Sequence, residues 1–327
     1  MTQNRLSDDD LLFFEYTLAI VFINLKGDEK MNRKSVAGLN SKENLWGWIF
    51  VSLGTFLIGL FVFYPMIESL IMSLKSGKGN NLKFSGVENY IRMFSDATLI
   101  KAIGNTFIYL LVQVPVMIIL ALIIASVLND RTLKFSGFFR TAIFLPCVAS
   151  LVGYSVIIKS IFASDGLVNK MLMGIHLISA PIEWVTHPIW AKVLIIIAIT
   201  WRWTGYNMIF YLSGLQNIDH SIYEAAEIDG ASPLKKFTSI TVPLLKPIIL
   251  FTTITSTIGT LQLFDEVVNI TKGGPANATT TISKYIYDLC FTYTPDFGYA
   301  TAVAYLIVVI VVILAIIQFK IGGDKND

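Results

Sequence analysis

Two constellations in the chain carry residue types that bind or couple rather than react. The first is Glu224-Ala225-Ala226, then Gly230, then Ile240 and Val242-Pro243, set in the polar segment 213–246. Ala225 and Ala226 permit another surface to approach closely, while Glu224 and Asp229 offer charge to basic groups. The second is Trp201, Arg202, Trp203, Tyr206 and Asn207 together with Gln262, Phe264 and Asp265. Aromatic faces beside amides and carboxylates suit a flat ligand that has one apolar face and a rim of hydroxyls.

Catalytic chemistry finds no support. No phosphate loop of the G-x-x-x-x-G-K-[ST] kind exists, and Ser76-Gly77-Lys78-Gly79-Asn80 has the wrong spacing. His176, His187 and His220 are scattered without ligand spacing, so no metal site is expected. Asp265 and Glu266 are adjacent, and neighbours on a helix point about 100° apart, too divergent to share a reacting atom. Cys147 and Cys290 sit among apolar residues and read as small buried hydrophobes rather than a disulfide.

The elements that hold these residues must lie in lipid. Of 327 residues, 54% are hydrophobic and only 15% charged, against about 25% charged in soluble domains. A net charge of +2 with no basic stripe excludes nucleic acid as a partner. A hydrocarbon core about 30 Å thick needs about 20 apolar residues per helix, and six such runs occur: Leu45 to Ile71, Thr106 to Leu128, Thr141 to Ile161, Ile189 to Leu212, Pro247 to Ile270 and Tyr299 to Phe319. The fold class expected is therefore an all-α membrane protein with six transmembrane helices. The third to fifth runs carry Pro146, Lys159, Arg202, Gln262, Asp265 and Glu266, and these polar helices should face one another. Lys159 and Lys192 are expected to snorkel near the outer boundary.

Lys and Arg are more numerous on the side that holds both termini, which places the termini inside. The organisation predicted is a cytoplasmic tail over 1–44, a first transmembrane helix over 45–72, an extracellular loop over 73–105, a transmembrane core over 106–320 with its loop at 213–246, and a tail over 321–327. Within residues 1–30, the run Leu11 to Leu25 is interrupted by Glu15 and is too short to span; Asp8, Asp9 and Asp10 exclude a signal peptide. Two readings of residues 1–30 stand side by side: an interfacial helix, or an upstream extension with Met31 the start, since Lys26-Gly27-Asp28-Glu29-Lys30 matches an encoded ribosome-binding sequence just before Met31.

The segment 213–246 reads as two short helices. Ser221 with Glu224 predicts a capping box. Gly230 supplies the left-handed residue that ends the first helix. Ser232 and Pro233 restart the chain as cap and first turn, and Pro243 and Pro247 stop the second helix.

With its spacing of Glu224, Ala225, Ala226, Gly230, Ile240 and Pro243, this segment resembles the EAA loop of bacterial ABC importer permeases, departing only in Val242 where leucine is usual. Gly86-Val87-Glu88-Asn89-Tyr90, Asn105-Thr106, Phe138-Phe139-Arg140-Thr141, Leu145-Pro146, Thr271 to Pro275 and Tyr285-Ile286-Tyr287 further resemble the first permease subunit of the maltose and multiple-sugar branch. The resemblance covers roughly residues 45–320. It implies a type I importer fold, and a loop whose Tyr223, Glu224, Ala225, Ala226, Asp229, Gly230, Ala231 and Pro243 dock on an ATPase. It also implies a substrate path along Trp201, Arg202, Trp203, Tyr206, Asn207, Gln262, Phe264 and Asp265. The implied partners are a second, related permease, two ATP-binding subunits that hold the ATP and Mg, an extracellular solute-binding lipoprotein, a sugar, and membrane lipid. Arg202 is expected either to pair with Asp265 or Glu266 or to face the water-filled path. A branch carrying glycerol-phosphate-type or other polar solutes is the alternative; an intramembrane enzyme is disfavoured.

Overall fold

The computed structural model describes residues 41–79, 81–130 and 132–323; the expectations for residues 1–40 and 324–327 lie outside these. The chain falls into two units, 1–65 and 66–327. The first contains α1 (Ser41–Ile58) and a π-turn (Gly59–Phe63). Trp48, Phe50, Phe56 and Phe61 are all exposed, as befits side chains solvated by lipid rather than by protein.

In chain order the remaining elements are α2 (Tyr64–Ser73), a two-residue hairpin of β1 (Lys75–Ser76) and β2 (Lys83–Phe84), α3 (Glu88–Met93), α4 (Ala97–Leu128), α5 (Ser136–Val148), α6 (Leu151–Ile161) and α7 (Leu167–Gly174). Then come α8 (Pro188–Gln216), α9 (His220–Ile228), α10 (Pro233–Lys236), α11 (Val242–Leu244), α12 (Lys246–Leu261), α13 (Ile282–Tyr287) and α14 (Phe297–Gly322). Four helices are long and apolar enough to cross a membrane alone: Gly47–Ser73, Ala97–Leu128, Pro188–Gln216 and Phe297–Gly322. Two bent pairs bring the number to six if each is one crossing.

The departures from the sequence expectation are local and have physical causes. Helix α4 begins at Ala97, not Thr106, because Asp96 caps it by accepting from the N–H groups of Thr98 and Leu99. The third run is not one straight helix: α5 and α6 meet at 103° where Ala149 and Ser150 turn extended, three residues after Pro146 removes a backbone donor. The fifth run, expected unbroken from Pro247 to Ile270, ends as helix at Leu261, with Gln262 as its C-cap. The carbonyl of Leu263 is then taken by the Thr281 hydroxyl at 2.6 Å, which satisfies a backbone acceptor that helix would otherwise have used. A π-turn (Val267–Thr271) follows the break.

Helices α4 and α8 pack along much of their length. Ala121 and Ala125 lie in one buried cluster with Met208, Tyr211 and Leu215, and small residues let the two backbones approach. At Gly205, α8 also comes against α5: a Cβ there would lie 2.2 Å from the carbonyl oxygen of Ile143. Polar side chains tie the helices across the core. Thr260 donates to Gln113 at 3.1 Å, the hydroxyls of Tyr211 and Thr252 lie 2.6 Å apart, and Gln318 donates to Thr257 at 2.7 Å. Each such bond is worth on average about 0.6 kcal/mol inside a membrane protein.

At the N-terminal ends of α4 and α14 a second network forms. Asp96 Oδ2 accepts from the hydroxyls of Tyr285 at 2.5 Å and Tyr299 at 2.7 Å. Burial pushes the Asp96 carboxyl up, but these bonds and the two capping N–H bonds outweigh it and hold the carboxyl below its ordinary range. Arg92 pairs with Asp296, the N-cap of α14, at 2.7 Å and lies over the Tyr299 ring.

Candidate substrate path and coupling loop

The segment from Asp219 to Leu245 leaves the membrane helices as a helix, a tight turn and a helix. Its first cap is Asp219, whose carboxylate accepts from Ser221 N–H at 3.0 Å. The expected capping box of Ser221 and Glu224 is therefore not formed; an aspartate two residues earlier takes the orphan donor of Ser221, and Glu224 instead meets His220 at 3.0 Å. Gly230 has φ +73°, and the N–H groups of Gly230 and Ala231 bond back to the carbonyls of Glu227 and Ala226. This is the Schellman closure that glycine was expected to make. Ser232 caps α10 by accepting from Lys235 N–H, and Pro233 opens it.

Pro243 does not stop the second helix. It lies within α11, after a π-turn (Phe237–Thr241); the chain bends at Leu245 instead, by 71°, and Pro247 opens α12. Pro243 lies near the end of the continuous helical run Pro233–Leu244, just after a π-turn that interrupts the regular bonding, so the missing donor is accommodated there and the break falls later. The two arms are joined by Lys236 to Glu227 and by Tyr223 to Thr241 at 2.9 Å. The hydrogen bond and charge of Lys236 hold the Glu227 carboxyl below its ordinary range.

No residue of α9 is buried. Glu224, Ala225, Asp229, Gly230 and Pro243 are exposed, and Tyr223, Ala226 and Ala231 are half-buried. At the tip two apolar side chains stand in the open, Ile228 at 87% and Leu234 at 72% exposure.

The residues expected along a path separate into two groups on α8. Trp203 and Tyr206 are half-buried and meet edge to face at 5.7 Å. Trp201 lies elsewhere on the helix, exposed and against the Tyr154 ring at 5.7 Å. Asn207 is buried: its amide donates to the Trp203 carbonyl and to Met117 of α4, leaving Asn207 Oδ1 without a hydrogen-bond partner. Gln262 and Asp265 are exposed at the break in the fifth run, with Phe264 half-buried between them. Non-helical backbone at membrane depth is tolerated only where protein or a water-filled cavity satisfies it, and here protein does so through the Thr281 hydroxyl on the Leu263 carbonyl.

Arg202 joins the two stretches. Its guanidinium donates to Glu266 at 3.0 Å, with both side chains nearly buried. Of the two acids the sequence offered, Glu266 is the partner, because the turn after Phe264 directs it inward while Asp265 stays exposed. Arg202 also lies 5.2 Å from the Trp203 ring centre and 6.0 Å from that of Tyr154. Sequence reasoning missed one further feature: Phe264 stacks on Tyr287, and Tyr287 on Phe291, each at 5.2 Å. The four-residue spacing of Tyr287 and Phe291 was the available signal.

Residues 94–322 match the family model described as binding-protein-dependent transport system inner membrane component. The chain belongs to this family. The permease is 58% identical over 298 residues to a lactose transport system permease protein of Rhizobium radiobacter, covering 90% of this chain and 100% of that one. It is 32% identical to a multiple sugar-binding transport system permease protein of Streptococcus mutans, covering 85% and 95%. It is also 32% identical to a trehalose/maltose transport system permease protein of Thermococcus litoralis, covering 91% and 100%. Its fold is shared with a solved bacterial ABC transporter involved in import of the acidic polysaccharide alginate, at TM-score 0.74 and 23% identity, over 88% of this chain and 98% of that one. The type I importer architecture expected for the permease is thus the one found.

Proposed function

We propose that this permease carries a carbohydrate across the bacterial cell membrane by alternating access, driven by ATP hydrolysed on partner subunits. The observation that carries the proposal is the exposed hairpin from Asp219 to Leu245, whose tip presents Ile228 and Leu234 beside Glu224 and Asp229. An ATPase groove with apolar and basic lining fits that tip. The names of the relatives support a sugar as cargo, and so do the aromatic rings beside Gln262 and Asp265.

The assembly proposed is this chain, a second related permease, two ATP-binding subunits that hold ATP and Mg, and an extracellular solute-binding lipoprotein. Both termini lie in the cytoplasm, residues 73–105 lie outside, and the core over 106–320 moves as packed helices. Two packings alternate: an inward-open resting state and an outward-open state favoured when ATP draws the ATPases together. The hairpin is short and tied at both arms, so a displacement of its tip is passed to α8 and α12 rather than absorbed. Trp203, Tyr206 and Phe264 give faces for the apolar side of a sugar, and Gln262 and Asp265 meet its hydroxyls.

Reconstitution tests this. The four-component complex is expected to couple ATP hydrolysis to uptake of lactose, trehalose or an arabino-oligosaccharide presented on its binding protein. Hydrolysis that none of these sugars stimulates would overturn the carbohydrate reading.

A further inference from the structure

We infer that the cytoplasmic mouth of this permease holds a second sugar-binding subsite, a groove between the last turns of α8 and the first turns of α12. The inference rests on the carbohydrate reading above and adds a site to it.

Phe210, Ser213, Gly214, Asn217, Pro247 and Ile248, with Phe251, line an open groove of about 310 Å³. The size falls at the lower end of small-ligand pockets, and the composition is the usual one of apolar and aromatic walls with few polar groups. The groove is continuous with the candidate path. Trp203 meets Tyr206 at 5.7 Å, Tyr206 meets Phe210 at 5.0 Å, and Phe210 meets Phe251 at 5.8 Å. None of these four rings is fully buried, so the ladder runs from the mid-membrane residues of α8 to the groove with ring surface available throughout.

Two features favour a hydroxyl-bearing occupant over lipid. Ser213 and Asn217 are exposed on the groove wall, and beyond the bond from the Asn217 amide to the Ser213 carbonyl at 3.1 Å they offer hydroxyl and amide groups that a sugar can meet and a lipid tail cannot. Gly214 sets the floor: a Cβ there would lie 2.4 Å from Ile248 Cδ1, so α8 and α12 close to contact and leave room only above. A sugar ring leaving the central site would stack on Phe210 or Phe251 and exchange hydrogen bonds with Ser213 and the Asn217 amide. Occupancy would hold the mouth open and favour release toward the cytoplasm.

The test uses the complete transporter, nucleotide-free and without its binding protein, carrying Phe251→Trp as a reporter. The titrant is whichever of lactose, trehalose or an arabino-oligosaccharide stimulates wild-type ATP hydrolysis. A saturable change in the tryptophan emission is expected, weakened at least tenfold by Ser213→Leu and by Phe210→Ala, with both variants still assembling. No saturable change, or one untouched by both variants, would overturn the subsite while leaving the carbohydrate reading in place. Failure of every sugar to stimulate the wild type would instead sink that reading and the subsite with it. A cysteine variant Phe251→Cys that crosslinks fully to the second permease with uptake intact would show the groove to be a subunit interface and overturn the proposal.

Discussion

The guanidinium of Arg202 donates to the carboxylate of Glu266 at 3.0 Å, tying the middle of α8 to the segment just beyond the break at Gln262. Both groups are nearly buried, and Arg202 Nε has no hydrogen-bond partner among the described residues. Removing one partner of a buried pair leaves an uncompensated charge and typically costs about 3–5 kcal/mol. Arg202→Met and Glu266→Gln are each expected to lower the thermal midpoint of the detergent-solubilised complex. The double variant should recover much of the loss. A loss in the double variant equal to the sum of the two single losses, measured by thermal unfolding, would show that the pair is not coupled.

Gly205 makes a sharper packing prediction. A side chain there would meet the backbone of Ile143 and Phe144, which cannot rotate away as a side chain could. Gly205→Val is expected to separate α5 from α8 and reduce the amount of folded permease in the membrane severalfold, while Gly205→Ala should be intermediate. Quantitative blotting with size-exclusion profiles measures both.

Gly230 separates backbone strain from space. Its φ of +73° disfavours side chains, yet a Cβ would meet nothing within 4 Å. The left-handed conformation costs an ordinary residue about 1–2 kcal/mol, and asparagine less. Gly230→Asn should therefore keep most sugar-stimulated ATP hydrolysis and Gly230→Val should lose most of it, with both proteins present in the membrane at normal amounts. Normal uptake by Gly230→Val would contradict a coupling role for the turn.

These positions also show what the sequence could reveal. The Gly230 turn, the Ser232 cap and Pro233 at the start of α10 were legible because each is local chemistry with a strict backbone requirement. The four unbroken crossings were legible because lipid enforces long apolar runs. The capping box failed because Asp219 and Ser221 both suit a cap, and nothing local chooses between them. The break at Gln262 was hidden because no proline marks it and the nearest glycine, Gly259, stays inside the helix. It depends on Thr281, eighteen positions on in the chain, reaching the Leu263 carbonyl. The choice of Glu266 over Asp265 followed from that same break.

The Asp96 network sets a pH dependence. Its carboxyl is depressed in the fold, so it contributes stability above the unfolded value of about 3.9 and loses that contribution as pH falls through the folded value. Wild type should therefore lose thermal stability steeply below about pH 4, and the difference between it and Asp96→Asn should shrink there. At pH 7 Asp96→Asn should be the less stable protein, since the hydroxyls of Tyr285 and Tyr299 would donate to a neutral amide rather than to a carboxylate. Matched thermal scans from pH 3 to pH 8, values chosen to bracket the ordinary carboxylate range, give the comparison.

The most direct measurement places the permease pair in proteoliposomes with sugar-loaded binding protein and ATP, with and without the ATP-binding subunits. Labelled sugar is expected to accumulate only when those subunits are present, and Gly230→Val should abolish the accumulation. Vigorous sugar movement by the permease alone, indifferent to ATPase and to Gly230, would contradict the coupling of transport to the Asp219 to Leu245 hairpin.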